Sequence, residues 1–104
     1  MNIKTTNFSE VFILEPNVHL DERGFFMESF NEREVEKTLG RKIVFYQDNL
    51  THSKKGVLRG LHYQLPPFSQ TKLVQVVHGS VLDVVVDIRK GSPTFGQSYS
   101  CELS

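Results

Sequence analysis

An imidazole, a guanidinium and an ammonium stand out in two neighbouring apolar segments of the chain. The segment Leu58–Gln64 contains Arg59 and His62, and Lys72 opens the next apolar run. Polar groups in segments apolar enough for a sheet core are either satisfied by hydrogen bonds or functional. On the structural interpretation, His62 is a hydrogen-bonded core histidine and Arg59 is an exposed cation on a strand. The functional interpretation depends on what these side chains would do together.

The chemistry that suits His62 and Lys72 is abstraction of a proton next to a carbonyl group. An imidazole can take a carbon-bound proton at neutral pH, which contributes roughly 10² to 10⁴ in rate. The enolate oxygen then needs a donor, worth on the order of 3 kcal/mol, and Lys72 could supply it. Asp83 either supports this pair, by orienting His62 or pairing with Lys72, or is a solvent-facing aspartate on an antiparallel strand. The sequence leaves both interpretations of Asp83 open.

Five residues of the chain are spaced as in the two-part signature of the metal-binding cupins, which they resemble; cupins are small jelly-roll barrels. Gly56, His62, Gln64, Lys72 and Gly79 occupy its positions, but Gln64 replaces the second histidine and Lys72 replaces the glutamate. A neutral amide and an ammonium cannot replace these metal ligands. We therefore predict that no metal is bound and that Lys72 provides a fixed positive charge near the vacated position.

The charge balance of the chain excludes several classes of partner. Its 104 residues carry 12 Lys and Arg against 12 Asp and Glu, so the formal net charge is zero. Non-specific binding to nucleic acids or anionic membranes depends on a basic surplus, and neither partner is expected. No apolar run resembles a signal peptide or a spanning helix of roughly 18 residues. The single Cys101 fits a reducing compartment, and we expect a cytoplasmic protein.

The order of turn residues and apolar runs predicts one all-β domain over residues 1–104 with one short surface helix. The helix is expected at Glu32–Leu39, between an N-cap at Asn31 and a left-handed C-cap at Gly40. Gly60 is expected to form a β-bulge that turns Arg59 and His62 towards the same cavity. The predicted strands are Val11–Leu14, Phe25–Phe30, Ile43–Asp48, Val57–Gln64, Lys72–His78, Val81–Ile88 and an alternating run from Ser98 to Ser104.

A jelly roll is the commonest closure for so many short antiparallel strands. The last run, Ser98–Ser104, alternates without reaching a turn, so we expect the barrel to be incomplete at the C-terminus. Asp87 and Arg89 are expected to form a structural ion pair at the end of a strand.

Five motifs together resemble the dTDP-4-dehydrorhamnose 3,5-epimerase family. The motifs occur in order with family-like spacing, and the resemblance covers the chain from Phe8 to Phe95. The motifs are Arg23–Glu28, Gln47–Asn49, Gly56–Gln64, Lys72–Val74 and Asp83–Gly96. The resemblance implies a cupin-like jelly roll, a homodimer, no cofactor, and epimerisation of dTDP-4-dehydro-6-deoxyglucose at C3 and C5 to dTDP-4-dehydro-L-rhamnose.

The same resemblance implies a role for each matching residue. His62 would be the base, and Lys72 would contact the 4-oxo sugar. The expected substrate-binding residues are Lys72 together with Arg23, Glu28, Gln47, Asp48, Asn49 and Arg59, of which the Arg23–Glu28 segment would reach across the dimer. Planar guanidinium groups suit the oxygens of a pyrophosphate, in agreement with the two arginines.

Two other functions remain open at this point. One is a related epimerase that acts at C3 or C5 only, or on another 4-oxo sugar. The other is a non-catalytic cupin module that binds a nucleotide-sugar. The resemblance also implies a tyrosine proton donor and an aspartate paired with His62, both from a part of the family sequence that lies beyond residue 104. We therefore expect this chain to be either a fragment of an epimerase or a half-barrel completed by another chain, and we do not expect it to be active alone.

Overall fold

A computed structural model describes all residues from 1 to 104. It contains six strands and one helix, arranged as three separate two-stranded antiparallel sheets that pair β1 with β2, β3 with β4, and β5 with β6. The elements are β1 (Asn2–Thr5), β2 (Phe12–Glu15), β3 (Val18–Asp21), β4 (Gly24–Met27), α1 (Glu32–Leu39), β5 (Val81–Val86) and β6 (Ser98–Leu103). The prediction of strands with a single short helix is confirmed.

Helix α1 has the predicted bounds because both of its ends are fixed by neighbouring residues. The Asn31 side chain accepts a hydrogen bond from the Glu34 backbone N–H at 3.1 Å. Gly40 adopts φ +69° and donates to the Glu36 carbonyl at 2.8 Å, which closes the last turn. Val35 is buried, and the charged face of the helix points to solvent. The helix is too short and too polar to cross a membrane.

The N-terminal hairpin β1–β2 encloses the most buried side chain of the chain. Its connection is tied by Thr6, whose hydroxyl donates to the Val11 carbonyl at 2.9 Å and accepts from the Phe8 N–H at 3.0 Å. Phe8 is only 3% exposed. Sequence analysis missed β1, which is polar and short, and placed β2 one residue early.

Hairpin β3–β4 carries an apolar face that nothing in the chain covers. Val18 lies opposite Met27 and Leu20 opposite Phe25, so these four side chains share one side of the hairpin. Leu20 and Phe25 are 80% and 68% exposed. Sequence analysis missed β3 and extended β4 to Phe30, where the chain instead turns towards helix α1.

Asp87 and Arg89 form the predicted ion pair at the end of β5. Arg89 donates Nε and Nη2 to the two Asp87 carboxylate oxygens, both at 3.0 Å. The Ser92 and Thr94 hydroxyls donate to Asp87 Oδ2 at 2.6 and 2.5 Å. Arg89 Nη1 also reaches Glu10 at 2.8 Å, which ties the β5–β6 loop to the N-terminal hairpin. This group of five residues is called the Asp87 network below.

The Asp87 network holds a carboxylate that is only 6% exposed. The Arg89 side chain, followed by the Ser92 and Thr94 hydroxyls, holds the pKa of Asp87 well below its usual range. The hydrogen bonds favour the charged form more than burial disfavours it.

Three predicted strands do not form in this chain. Ile43–Asp48, Val57–Gln64 and Lys72–His78 belong to no sheet. Between residues 44 and 80 the only backbone hydrogen bonds close two turns, from Val57 to Lys54 and from Phe68 to Leu65. A β-bulge needs a ladder, so the predicted bulge at Gly60 is also wrong. The composition of these segments favours extended backbone, but a strand forms only where a neighbouring strand supplies partners for its N–H and C=O groups.

Candidate functional site

The guanidinium and imidazole of the Leu58–Gln64 segment are positioned by their immediate neighbours. Arg59 donates its Nε to the Ser53 hydroxyl at 3.0 Å, which folds the side chain back over the preceding turn. Gly60 adopts φ +97°, and a Cβ atom built there would lie 3.1 Å from Nδ1 of His62. The absent side chain therefore leaves room for the imidazole. Gly60 serves this site through close approach instead of the predicted bulge.

The imidazole of His62 has no hydrogen-bond partner within the protein. It is exposed, and no hydrogen bond of the structure involves either of its ring nitrogens. A core histidine would be buried and hydrogen-bonded. The structural interpretation of His62 is therefore not supported in this chain.

Neither Lys72 nor Asp83 forms a hydrogen bond or salt bridge with His62 in this structure. Lys72 is exposed and belongs to none of the four salt bridges. Asp83 is half-buried on β5, directly opposite Cys101 of β6, and its carboxylate has no hydrogen bond. The three groups lie on segments that share no backbone pairing, so local structure alone does not bring them together. Their joint action stays a prediction.

The two predicted nucleotide-binding segments are ordered by short-range bonds. Gln47 donates its amide to Asn49 Oδ1 at 3.0 Å, while the Asp48 side chain between them is exposed and has no hydrogen bond. Glu28 accepts from the Asn31 amide at 3.1 Å, and Asn31 also caps helix α1. The helix start therefore fixes the direction of the Glu28 carboxylate.

Arg23 is engaged at the tip of hairpin β3–β4. Its Nη2 and Nε donate to Asp21 Oδ2 at 2.6 and 3.2 Å, and its backbone N–H donates to Oδ1 at 2.8 Å. Hydrogen bonding to Arg23 lowers the pKa of Asp21 below its usual value, and the same pair raises the pKa of Arg23. Of the two arginines expected to bind pyrophosphate, Arg59 is the one whose guanidinium no carboxylate neutralises.

The donor set gives no support to a metal centre in this chain. No group of three or more His, Cys, Asp or Glu side chains converges. The metal-free expectation rests on Gln64 and Lys72 at the positions of the cupin ligands, and it stays a prediction.

Ser53 is the site residue that sequence analysis missed. It fixes Arg59, but a serine before a Lys-Lys-Gly turn reads first as a turn residue. A separate cleft of about 220 Å³ is bordered by residues of the N-terminal hairpin and of the β5 end, Phe8, Glu10, Val11 and 85–89. It contains none of the predicted site residues and lies next to the Asp87 network.

Comparison with known proteins identifies relatives over the full chain. The family description dTDP-4-dehydrorhamnose 3,5-epimerase matches residues 5–104. The dTDP-4-dehydrorhamnose 3,5-epimerase of Shigella flexneri is 59% identical over 104 residues, which are 100% of this chain and 58% of that protein.

Two solved structures superimpose closely. The dTDP-6-deoxy-D-glucose-3,5-epimerase of Legionella pneumophila, in complex with dTDP-4-keto-L-rhamnose, has a TM-score of 0.92 at 54% identity, over 99% of this chain and 54% of that one. The epimerase of Bacillus anthracis, with TDP and PPi bound, has a TM-score of 0.90 at 47% identity, over 99% of this chain and 59% of that one.

These comparisons confirm the cupin-like jelly roll, of which the chain forms a part. The chain spans a little over half the length of the relatives that it matches. Motif order, structural superposition and a match over residues 5–104 agree, and the chain therefore belongs to the dTDP-4-dehydrorhamnose 3,5-epimerase family.

Proposed function

We propose that this chain carries the base and much of the substrate-binding surface of a metal-independent epimerase. The substrate is dTDP-4-dehydro-6-deoxyglucose, and the reaction inverts C3 and C5 to give dTDP-4-dehydro-L-rhamnose. The observation that carries the proposal is the family match over residues 5–104. The complex of the Legionella relative with dTDP-4-keto-L-rhamnose supports the choice of substrate.

His62 is proposed to remove the proton next to the 4-oxo group. Its ring nitrogens have no hydrogen-bond partner and the side chain is exposed, so a substrate C–H bond can approach it. Gly60 has no side chain to crowd Nδ1 of the ring.

Lys72 is proposed to stabilise the enolate oxygen that forms when the proton leaves. Its ammonium forms no salt bridge, so no carboxylate of this chain competes with an anionic intermediate for it. The role requires Lys72 to approach the same sugar ring as His62. Strand pairing of the Val57–Gln64 and Lys72–His78 segments within a closed barrel would bring the two side chains together.

Arg59 is proposed as the main contact of the pyrophosphate. Its hydrogen bond to Ser53 uses Nε and leaves both terminal nitrogens free, and two parallel donors match two phosphate oxygens. Arg23, Glu28, Gln47, Asp48 and Asn49 complete the proposed nucleotide-sugar contacts. The TDP and PPi bound by the Bacillus relative agree with a site for these groups.

Inversion also requires an acid on the opposite face of the sugar. One base alone can only exchange the proton, because reprotonation from the same face restores the starting configuration. None of the three tyrosines, Tyr46, Tyr63 and Tyr99, matches the family's donor position. The proposal therefore assigns the acid, and the carboxylate that pairs with His62, to the portion of the family sequence that this chain does not span.

We further propose a cytoplasmic homodimer. The support is the exposed apolar face of hairpin β3–β4, where Leu20 is 80% exposed and lies beside Phe25. A second copy that covers this face would also receive Arg23 from the hairpin and Glu28 from the residue that follows it. A nucleotide-sugar substrate and a single free cysteine agree with a reducing compartment.

One observation favours the binding-module alternative for the isolated chain. No hydrogen bond or salt bridge joins His62, Lys72 and Asp83 to one another, so nothing in the structure shows that binding a nucleotide-sugar requires these three groups to act together. An epimerase restricted to C3 or C5 has no comparable support.

The test measures, by NMR, how much solvent deuterium is incorporated into the 4-oxo sugar. The 104-residue chain is compared with a chimera that appends the uncovered portion of the Shigella relative. We expect deuterium at C3 and C5 with the chimera, and loss of incorporation in its His62→Ala variant. His52→Ala, which removes another exposed imidazole outside the matched motifs, should retain the activity.

Each other outcome separates the alternatives. Exchange at wild-type rate in the His62→Ala chimera would show that His62 is not the base. Nucleotide-sugar binding without exchange in the chimera would favour the binding module. Deuterium at only one carbon would indicate a single-site epimerase.

A further inference from the structure

Acidic and basic residues are segregated along this neutral chain. Residues 49–82 contain four of the 12 Lys and Arg and none of the 12 Asp and Glu. The segment therefore carries a formal charge of +4 and the remainder carries −4. The four cations are Lys54, Lys55, Arg59 and Lys72. Zero net charge thus conceals a local basic surface.

The cations of this segment are free, whereas several others in the chain are paired. The four salt bridges join Lys4 to Glu15, Arg23 to Asp21, and Arg89 to Asp87 and Glu10. None involves residues 49–82, whose side chains are exposed apart from Val76. An unpaired charge at the surface projects its field into solvent over about one Debye length, roughly 8–10 Å at moderate salt.

Local geometry places two lysines with no assigned role beside Arg59. The turn is closed by a hydrogen bond from the Val57 N–H to the Lys54 carbonyl at 3.2 Å. Gly56 permits the reversal with φ +84°. The bond from Arg59 to Ser53 then holds the guanidinium against the residue that precedes the lysines. Lys54 and Lys55 therefore lie in a turn whose preceding residue, Ser53, binds the guanidinium of Arg59.

We propose that Lys54 and Lys55 attract the anionic pyrophosphate of the substrate to this turn and pass it to Arg59. The inference rests on the proposed function and adds two residues to it. A neutral protein gains no long-range attraction for an anion from its net charge, so a local cluster must provide it. Lysine suits this role because its ammonium is a hydrated point charge on a flexible stem that makes few geometric demands.

Coulombic attraction of this kind has a distinctive dependence on salt. The contribution of exposed charges falls as ionic strength rises, while contacts made directly by a hydrogen-bonded guanidinium fall less. A lysine that only fills space, or that is merely solvated, would show no such dependence.

The experiment measures dissociation constants of dTDP and of inorganic pyrophosphate by calorimetry on the 104-residue chain. Wild type is compared with the Lys54→Gln, Lys55→Gln double variant. The matched control is Arg41→Gln with Lys42→Gln, which removes two adjacent exposed cations outside the segment. Circular dichroism checks that all three chains have the same secondary structure.

We expect the lysine double variant to bind dTDP roughly three- to tenfold more weakly at about 50 mM NaCl. The difference should shrink at about 200 mM NaCl, and the control variant should match wild type. Equal weakening by both double variants, or a loss that does not respond to salt, would overturn the inference. So would the absence of binding of either anion to wild type.

The pyrophosphate arm separates this inference from the proposed function. If pyrophosphate binds as tightly as dTDP and both depend on Lys54 and Lys55, the role of the lysines in attracting anions is supported. The proposal of a nucleotide-sugar site is then rejected. If dTDP binds better than pyrophosphate but the lysine variant behaves like the control, the proposed function is retained and the role of the lysines is rejected.

Discussion

The end of β5 and the segment from residue 44 to residue 80 differ sharply in how they are held. At the end of β5, one carboxylate accepts bonds from a guanidinium and two hydroxyls, and Arg89 reaches Glu10 across 79 positions of sequence. Residues 44–80 have only two backbone hydrogen bonds, both in turns, and no buried side chain. Yet His62, Arg59 and Lys72 all lie in the second region.

The exposed apolar side chains explain what the second region lacks. Tyr46, Leu50 and Leu58 are 91%, 88% and 90% exposed. Full burial of one large apolar side chain stabilises a fold by about 1.5–3 kcal/mol, and this stabilisation is unused here. The comparison teaches that bonds within residues 87–94, together with one distant bond to Glu10, hold the Asp87 network, whereas the region with the proposed chemistry depends on contacts from outside itself.

The largest expected effect is in hydrogen exchange of the backbone amides. Amides of residues 44–80 should exchange at close to the rate of an unstructured peptide, since their N–H groups have almost no partners. Amides in the β5–β6 ladder should exchange at least roughly tenfold more slowly. Mass spectrometry after proteolysis measures both regions in one sample. Equal protection would remove the contrast on which the comparison depends.

A smaller effect is expected from Asp87→Asn, which removes the charge at the centre of the Asp87 network. Arg89 loses its ion pair, and the two hydroxyls lose a charged acceptor. The midpoint of thermal unfolding should fall by several degrees at neutral pH. Lys4→Gln, which breaks the exposed pair with Glu15, should leave it nearly unchanged.

The effect of Asp87→Asn should also depend on pH in one direction. Hydrogen bonds lower the folded pKa of Asp87, so its contribution to stability is fully present above the unfolded pKa of about 3.9. It is lost as the pH falls below that value towards the folded pKa. Wild type and variant should therefore converge in acid. A difference in unfolding midpoint that stays constant from neutral pH into acid would contradict this account.

The smallest effect distinguishes two glycines of the exposed region. Gly60→Ala and Gly56→Ala both place a side chain at positive φ, which costs about 1 kcal/mol. Only the Cβ at position 60 meets the imidazole of His62, at 3.1 Å, while position 56 is open. Gly60→Ala should therefore shift the NMR signals of His62, and Gly56→Ala should not. Identical spectra for the two variants would show that a side chain at position 60 does not contact the imidazole of His62.

Features predicted correctly from the sequence are those that depend on neighbours along the chain. Helix α1 was predicted with its true bounds because Asn31 and Gly40 act within four residues of the groups they satisfy. The Asp87–Arg89 pair spans two residues. The motifs that carried the family resemblance are likewise contiguous, and the match over residues 5–104 confirmed them.

The three predicted strands that do not form need a distant partner, whereas β1 and β3 were missed although each pairs within a hairpin. The composition of Val57–Gln64 favours a strand, but composition does not supply the second strand that its backbone groups require. The positions of His62, Lys72 and Asp83 relative to one another depend on the same pairing.

The amino-acid sequence alone therefore determined the family, the helix, the turns and the types of residue available for proton transfer. Tertiary structure decided which apolar segments became strands, since ladder hydrogen bonds and burial are made between segments and not within them. It also decided that Arg59 bonds to Ser53 and that the imidazole of His62 lies where a side chain at position 60 would crowd it. The positions of these two side chains depend on how the backbone reverses at nearby glycines. The residue identities leave that direction open, because a glycine permits several conformations and only the folded chain selects one.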